Sequence, residues 1–254
     1  MKVAVVFFGK FSGVNNRGEI QDFEKTYNYL KSNVLTENTD IFFHGWDDNE
    51  EQSKKLVDLF KPKKFLLEKQ IVFDHPFQHY NFIPYGPWNT KDYLKNNYSR
   101  FYSIKKALEL VDEQYDLVLL SRFDTIFLKP FPFNDMSIDQ FYVSDWVHNS
   151  DGMGFQDAWF ISGIENMKKF SLIFNRMDDY MDLDGNYLQF IKKHGGDERN
   201  ITSGHAICRY RIVELSLEEH TYCVGSLPET WTLSRYLNGQ LNITNKITTI
   251  KKLK

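Results

Sequence analysis

The chain has 254 residues, of which 42% are hydrophobic, 16% aromatic and 26% charged, a composition that can bury a sizeable core and excludes disorder as the main state. Its 31 Lys and Arg against 34 Asp and Glu leave a formal charge of -3, so no global basic field exists to hold a phosphate backbone, which argues against nucleic acid as the principal partner and leaves room only for a local basic patch. The longest apolar runs, residues 3–8 and 117–120, fall far short of the roughly 20 residues that a membrane-spanning helix needs, so no transmembrane segment is expected.

Residues 2–8 read as a strand buried on both faces, not as a signal peptide, because one positive charge precedes a short apolar run and no small-residue cleavage site follows. The strand empties into a polar, glycine-bearing loop at residues 10–18. Ile20, Phe23, Tyr27 and Leu30 then recur at steps of three and four, which predicts a helix over 19–32. A strand at 40–46, a helix at 50–60 and a strand at 64–67 follow. Residues 72–91 hold three prolines and many aromatics and suit a packed surface loop.

The strongest helix spans 92–113, with Leu94, Tyr98, Phe101, Leu108 and Val111 sharing a broad face, and it leads into a strand at 115–120 that is apolar enough to be central. Strands at 140–144 and 158–162, helices at 165–175, 183–193 and 205–213, and a strand at 222–224 complete a C-terminal third of less regular pattern. The alternation predicts an α/β fold with a mostly parallel central sheet flanked by helices, in a single domain over 1–254 that no linker divides. Cys208 and Cys223 lie outside any metal-binding spacing, which points to a reduced, cytoplasmic protein.

Chemistry-bearing residues concentrate where the strand at 115–120 ends. Arg122 and Asp124 arrive there abruptly, and in open α/β sheets the carboxyl ends of the strands are where ligands bind. A carboxylate so placed can hold a divalent metal against a diphosphate, and a neighbouring guanidinium can neutralise phosphate oxygens. An Arg–Asp ion pair capping the strand is the plainer alternative. The seven histidines are scattered, and the nearest pair, His75 and His79, flanks Pro76, so a zinc hydrolase is not supported. Sequences of the form GxSxG, GxxxxGK(S/T) and GxGxxG after the first strand are absent, which argues against α/β-hydrolase, phosphate-loop and common dinucleotide-binding readings.

The ordered set Phe-Phe-Gly-Lys-Phe-Ser-Gly (7–13), Asp-Ile-Phe-Phe-His-Gly-Trp-Asp (40–47), Ser-Arg-Phe-Tyr-Ser-Ile-Lys-Lys-Ala-Leu-Glu-Leu (99–110), Tyr-Asp-Leu-Val-Leu-Leu-Ser-Arg-Phe-Asp (115–124) and Gly-Phe-Gln-Asp-Ala-Trp-Phe-Ile-Ser (154–162) resembles a family of bacterial and viral glycosyltransferase-like proteins of the GT-A type. The resemblance covers residues 1–175. It implies a nucleotide-sugar donor over the carboxyl ends of the first strands, a nucleotide-sugar-binding half at 1–125, an acceptor-side half at 126–254, and a carbohydrate acceptor, as in surface glycan or polysaccharide assembly. Arg-Phe-Asp then corresponds to the Asp-x-Asp metal motif, with Asp124 coordinating Mn or Mg or orienting the diphosphate. Arg122 stands where the other acid is expected. Either the cation binds through Asp124, or it is dispensable and Arg122 with a second base stabilises the departing nucleoside diphosphate.

Within that resemblance, the loop from Gly9 through Lys10 to Arg17 would contact the nucleotide, its glycines allowing close backbone approach and Arg17 offering a fork for phosphate. Arg100 and Ser103 would approach the diphosphate or base. Asp157 is the first candidate for the catalytic base and Asp151 the second, since a carboxylate near the acceptor hydroxyl contributes about 10²- to 10⁴-fold. Trp159 or Phe160 could stack on a sugar, although strand aromatics mostly bury area. A Pro-Glu pair expected near 204–205 is replaced by Gly204 and His205, so His205 could serve as base, while His220 could bind metal and Arg235 could close over a phosphate. Two alternatives remain open: a nucleotidyl- or phosphate-group transferase on a similar sheet, and a non-catalytic nucleotide- or carbohydrate-binding module.

Overall fold

A computed structural model of the chain describes residues 1–13, 22–73, 91–145, 154–155, 157–226, 229–234 and 250–252. The N-terminal run forms strand β1 (Val3–Gly9). Helix α1 (Phe23–Asn33) starts after Asp22, whose side chain accepts the Lys25 N–H at 2.9 Å. Strand β2 (Thr39–Trp46) is followed by α2 (Glu50–Phe60), capped by Asn49, which accepts the Gln52 N–H at 3.1 Å. Each cap satisfies a backbone donor that the helix itself cannot. Strand β3 (Lys64–Glu68), helix α3 (Lys91–Glu109) and strand β4 (Leu117–Arg122) complete the first half.

Beyond β4 come the short β5 (Thr125–Phe127), β6 (Phe141–Asp145) and β7 (Trp159–Gly163). Helices α4 (Ile164–Ser171), α5 (Ile173–Tyr180), α6 (Asn186–Lys193) and α7 (Gly204–Glu214) follow, then β8 (Thr221–Ser226), β9 (Trp231–Leu233) and β10 (Ile250–Lys252). Among the described strands, one sheet runs in the order β10-β8-β6-β7-β4-β1-β2-β3, while β5 and β9 pair apart from it. In the large sheet only β7 and β10 run against the other six, so the sheet is mixed but mostly parallel.

Strand β1 shows why the sheet must be covered on both sides. Its side chains alternate, and both sets are apolar. Ala4, Val6 and Phe8 join a core with Phe101, Ile104 and Leu108 of α3, Met167 of α4 and Ile207 of α7. Val3, Val5 and Phe7 join the opposite core with Phe23 and Leu30 of α1 and Leu56 and Phe60 of α2. Each such fully buried large side chain contributes about 1.5–3 kcal/mol.

The structure differs from the sequence reading at identifiable places. The helix expected over 165–175 breaks at Leu172, where the Ser171 hydroxyl donates to the Lys168 carbonyl oxygen at 2.7 Å, a local bond that competes with the helical ladder. The helix expected over 183–193 begins only at Asn186, after a turn in which the Gly185 N–H donates to the Asp182 carbonyl oxygen. Strands β5, β9 and β10 carry too few residues to show a period. Most of the aromatic loop expected over 72–91 lies outside the described residues. No helix among the described residues is long and apolar enough to cross a membrane.

Candidate functional site

The site is built on the carboxyl edge of the parallel strands. Register pairs Phe8 of β1 with Arg122 of β4 and Gly9 with Gly45 of β2, so the loop after β1 and the residues after β4 emerge side by side. Antiparallel β7 enters from the same edge, and the Arg122 N–H donates to the Ala158 carbonyl oxygen at 3.0 Å. That one register places Asp157 beside Arg122. The tertiary structure therefore gathers Gly9, Arg122, Asp124 and Asp157 from three strands.

Asp124 is buried. Its Oδ2 accepts a hydrogen bond from the Arg122 guanidinium at 2.7 Å, and its Oδ1 is buried without a hydrogen-bond partner. A buried carboxylate oxygen without a donor is uncommon and calls for an explanation, such as a ligand. A divalent cation does not fit this donor set well. Among the described residues no three acidic, histidine or cysteine side chains gather to hold a metal, and the two carboxylates at this place, Asp124 and Asp157, are each already paired with a guanidinium.

Asp157, just ahead of β7, is clamped by Arg100 of α3. One guanidinium nitrogen donates to Asp157 Oδ2 and another to its backbone carbonyl oxygen. Burial pushes the Asp157 carboxyl up, but the Arg100 guanidinium, with Arg122 adding to it, pulls it down further, so it sits well below the usual carboxylate range. A carboxylate held this way is a weak base. His205 stands next to it, with Nδ1 3.6 Å from Asp157 Oδ2 and 2.8 Å from the Phe155 carbonyl oxygen. Donation from Nδ1–H to that carbonyl makes Nε2 the basic nitrogen of the neutral ring.

The N-terminus of α7 closes the wall. Ser203 caps it by accepting the Ala206 N–H, and Asn97 of α3 donates to the Thr202 carbonyl oxygen at 2.6 Å, tying the two helices together. A Cβ on Gly204 would lie 2.9 Å from Asn97 Oδ1, 3.0 Å from Arg100 Nη1 and 3.3 Å from Asp157 Oδ2. Gly204 lets the helix start approach the ion pair this closely.

Ser103 has a different place from the one expected. Its fully buried hydroxyl accepts the Gly9 N–H at 2.7 Å and lies 2.7 Å from His44 Nδ1, while His44 Nε2 lies 3.0 Å from Glu68 Oε1. Burial holds the His44 imidazole below its ordinary range, against the pull of Glu68. A neutral ring that donates from Nε2 to Glu68 and accepts the Ser103 hydroxyl at Nδ1 satisfies the chain of groups. Ser103 thus holds the end of β1 at Gly9, whose φ of +95° suits glycine. Lys10 pairs with Asp48 at 3.2 Å on the surface.

Arg17, Asp151 and Arg235 lie outside the described residues. Trp159 and Phe160 are buried, with the Trp159 ring 5.4 Å from that of Phe131 and 6.3 Å from that of Trp231, so both aromatics serve the core. His220 is exposed just ahead of β8. Sequence reasoning missed Asn97, His44 and Glu68. The available signal was the spacing of Asn97, Arg100 and Ser103, polar residues three apart along α3.

No family model matches the chain, and no curated protein matches it significantly. Solved structures do resemble it. The apo form of the glycosyltransferase GlyE of Streptococcus pneumoniae TIGR4 aligns at 13% identity and a TM-score of 0.42, over 89% of this chain. This chain spans 45% of the length of GlyE. Mouse xyloside xylosyltransferase 1, also in its apo form, aligns at 10% identity and a TM-score of 0.45, over 87% of this chain and 84% of its own.

Proposed function

We propose that the chain is a GT-A-type glycosyltransferase that moves a sugar from a nucleoside-diphosphate donor to a carbohydrate acceptor. The observation that carries the reading is Asp124: a buried carboxylate after the carboxyl end of a central parallel strand, one oxygen held by Arg122 and the other without a partner. Such a group, beside a glycine-ended strand, is placed to orient a polar ligand lying across the sheet edge. The motifs in residues 1–175 supply the class of ligand.

In this reading the Arg122 guanidinium offsets charge on the departing nucleoside diphosphate, the part a cation plays where two acids are present. Backbone at Gly9, anchored through Ser103, meets the nucleotide. His205 takes the acceptor proton at Nε2, and the ionised Asp157 beside it stabilises the imidazolium that forms. Asp157 acts here through His205, because its own pairing with Arg100 leaves it a weak base.

A thermal-shift panel of UDP, GDP, CDP and dTDP and their sugars, each with and without Mn or Mg, tests the donor site. A ligand at 100 times its dissociation constant adds about 2.7 kcal/mol. Selective stabilisation by one nucleotide, followed by a transfer product of the mass of a glycosylated acceptor, is the expected outcome. A folded Asp124→Ala variant with full transfer activity would overturn the assignment. The Arg100–Asp157 pair favours one other reading, a binding module without turnover, and nucleotide-sugar binding with no product across a broad acceptor set would establish it.

A further inference from the structure

A titratable ring stands in the middle of the contacts that hold the end of β1. His44 is fully buried in a strand whose neighbouring residues Phe42, Phe43 and Trp46 are buried too, a place where an apolar side chain would avoid the cost of sheltering polar nitrogens. Register sets His44 opposite Phe8 and Trp46 opposite Glu68, and α3 packs across β1 and β2 and brings Ser103 to the ring. The order hydroxyl, imidazole, carboxylate is that of a hydrolase nucleophile, but the Ser103 hydroxyl is fully buried and already accepts the Gly9 N–H, so it attacks no substrate.

The hydrogens of this chain of groups have two arrangements. With the ring neutral, Nε2–H donates to Glu68, Nδ1 accepts the Ser103 O–H and a Ser103 lone pair takes the Gly9 N–H, so each bond strengthens the next. A protonated ring has an N–H on both nitrogens. Nδ1 then donates to the Ser103 oxygen at 2.7 Å, and the other acceptor for the displaced hydroxyl hydrogen among the described residues is the His44 carbonyl oxygen at 3.5 Å. That distance is long for a hydrogen bond, so the hydroxyl must move to reach it, and its hold on the Gly9 N–H weakens. The charges facing the ring pull both ways. Glu68 of β3 and Glu109 of α3 favour the proton, Lys106 of α3 opposes it, the Tyr102 hydroxyl of α3 hydrogen-bonds the same Glu68, and β1 brings no charge. Burial outweighs them, so the proton enters only below the ordinary histidine value of about 6.5.

Resting on the donor reading above, we propose that Glu68, His44 and Ser103 form a proton-operated latch on the loop after β1. The neutral ring holds Gly9 where the nucleotide meets it, and the protonated ring releases it. Glu68 is a positioning residue that acts through the other two.

NMR of the full chain tests the latch without any ligand, using isotope labels on the histidine rings, the glycine nitrogens and the phenylalanine carbonyls; Phe8 and Gly9 form the one Phe-Gly step in the sequence. As pH falls, the Gly9 amide proton should move upfield with the same midpoint as the His44 ring, below about 6.5. Glu68→Gln keeps an acceptor for Nε2 and removes its charge, so both midpoints should drop together by about one pH unit. In His44→Gln the Gly9 signal should not titrate. Affinity for the most stabilising sugar nucleotide of the panel should fall about three- to tenfold from roughly pH 7.5 to 5 in wild type and stay level in His44→Gln. A sugar nucleotide is the probe because its phosphates, unlike the terminal phosphate of a nucleoside diphosphate, keep one charge state over this range. His205 is present in every protein compared, so a fall in affinity that persists in His44→Gln overturns the latch. A His44 ring that stays neutral until the protein unfolds, a ring that titrates with Gly9 unmoved, or a level wild-type affinity overturns it too. Should wild type bind no nucleotide, the donor reading fails by itself, and the midpoints then decide the latch: shared by Gly9 and His44 they support it, and separate they overturn it.

Discussion

Arg100 and Asp157, 57 residues apart in the chain, are joined by two hydrogen bonds, one to the carboxylate and one to the backbone carbonyl oxygen of Asp157. Their side chains are 15% and 12% exposed, so the pair is largely withdrawn from water. Replacing Arg100 with methionine would strand a buried carboxylate, and such losses typically cost about 3–5 kcal/mol. Urea unfolding at neutral pH measures it; a loss below about 1 kcal/mol would show that the pair is not holding Asp157.

The same pair has a pH signature. The folded-state Asp157 carboxyl sits below its unfolded value, so its contribution is complete above the ordinary carboxyl value of about 3.9 and is lost as pH falls towards the folded value. Arg100→Met removes the main attraction and leaves burial pushing the carboxyl up. Over roughly pH 3 to 5 the variant should lose less stability than wild type on acidification. Parallel slopes for the two proteins would contradict this.

Arg122 decides the charge at the donor end. Arg122→Asp would replace the guanidinium with a second carboxylate two residues before Asp124, the arrangement that holds a divalent cation against a diphosphate. Stabilisation by the preferred nucleotide should then depend on Mn, where wild type shows little dependence. Equal thermal shifts with and without Mn in the variant would argue that Arg122 is not standing in for a metal-binding acid.

Ser103→Ala leaves the Gly9 N–H without its side-chain acceptor and should cost about 1–3 kcal/mol, read by chemical denaturation. The partner histidine adds a pH dependence. Because burial lowers the folded His44 value, its contribution is complete above the ordinary histidine value of about 6.5 and is lost as pH falls below it. His44→Gln should flatten the stability profile over roughly pH 5 to 7. An unaltered profile would place the titration elsewhere.

Gly204→Ala tests the close approach of α7. Alanine favours a helix interior by about 1 kcal/mol over glycine, yet here its Cβ would fall 2.9 Å from Asn97 Oδ1 and 3.0 Å from Arg100 Nη1. Overpacking costs of about 1–3 kcal/mol should win, giving a net loss in urea unfolding. A more stable variant would mean that α3 and α7 yield easily.

Much of the fold was legible because it is written in local periods. The apolar alternation of Val3 to Phe8 and the helical spacing of Phe23, Tyr27 and Leu30 report burial directly, and β1, α1, β2, α2 and β3 lie where those patterns place them. Arg122 and Asp124 stood out because charge follows an apolar strand. The break at Leu172 and the three-residue strands β5 and β9 did not, since a hydroxyl bonding back one turn and a pairing between segments over a hundred residues apart leave no periodic trace.

Sequence alone determined the α/β class, the mostly parallel sheet and the strand end at which charge collects, because side-chain burial repeats every two or every 3.6 residues along the chain itself. Tertiary structure alone decided the partners. It showed that Arg100 holds Asp157, that Ser103 holds Gly9 rather than facing outward, and that Ser234 lies opposite Asp124. Those relationships depend on strand order and register, which are settled by packing between distant segments, so no stretch of neighbouring residues encodes them.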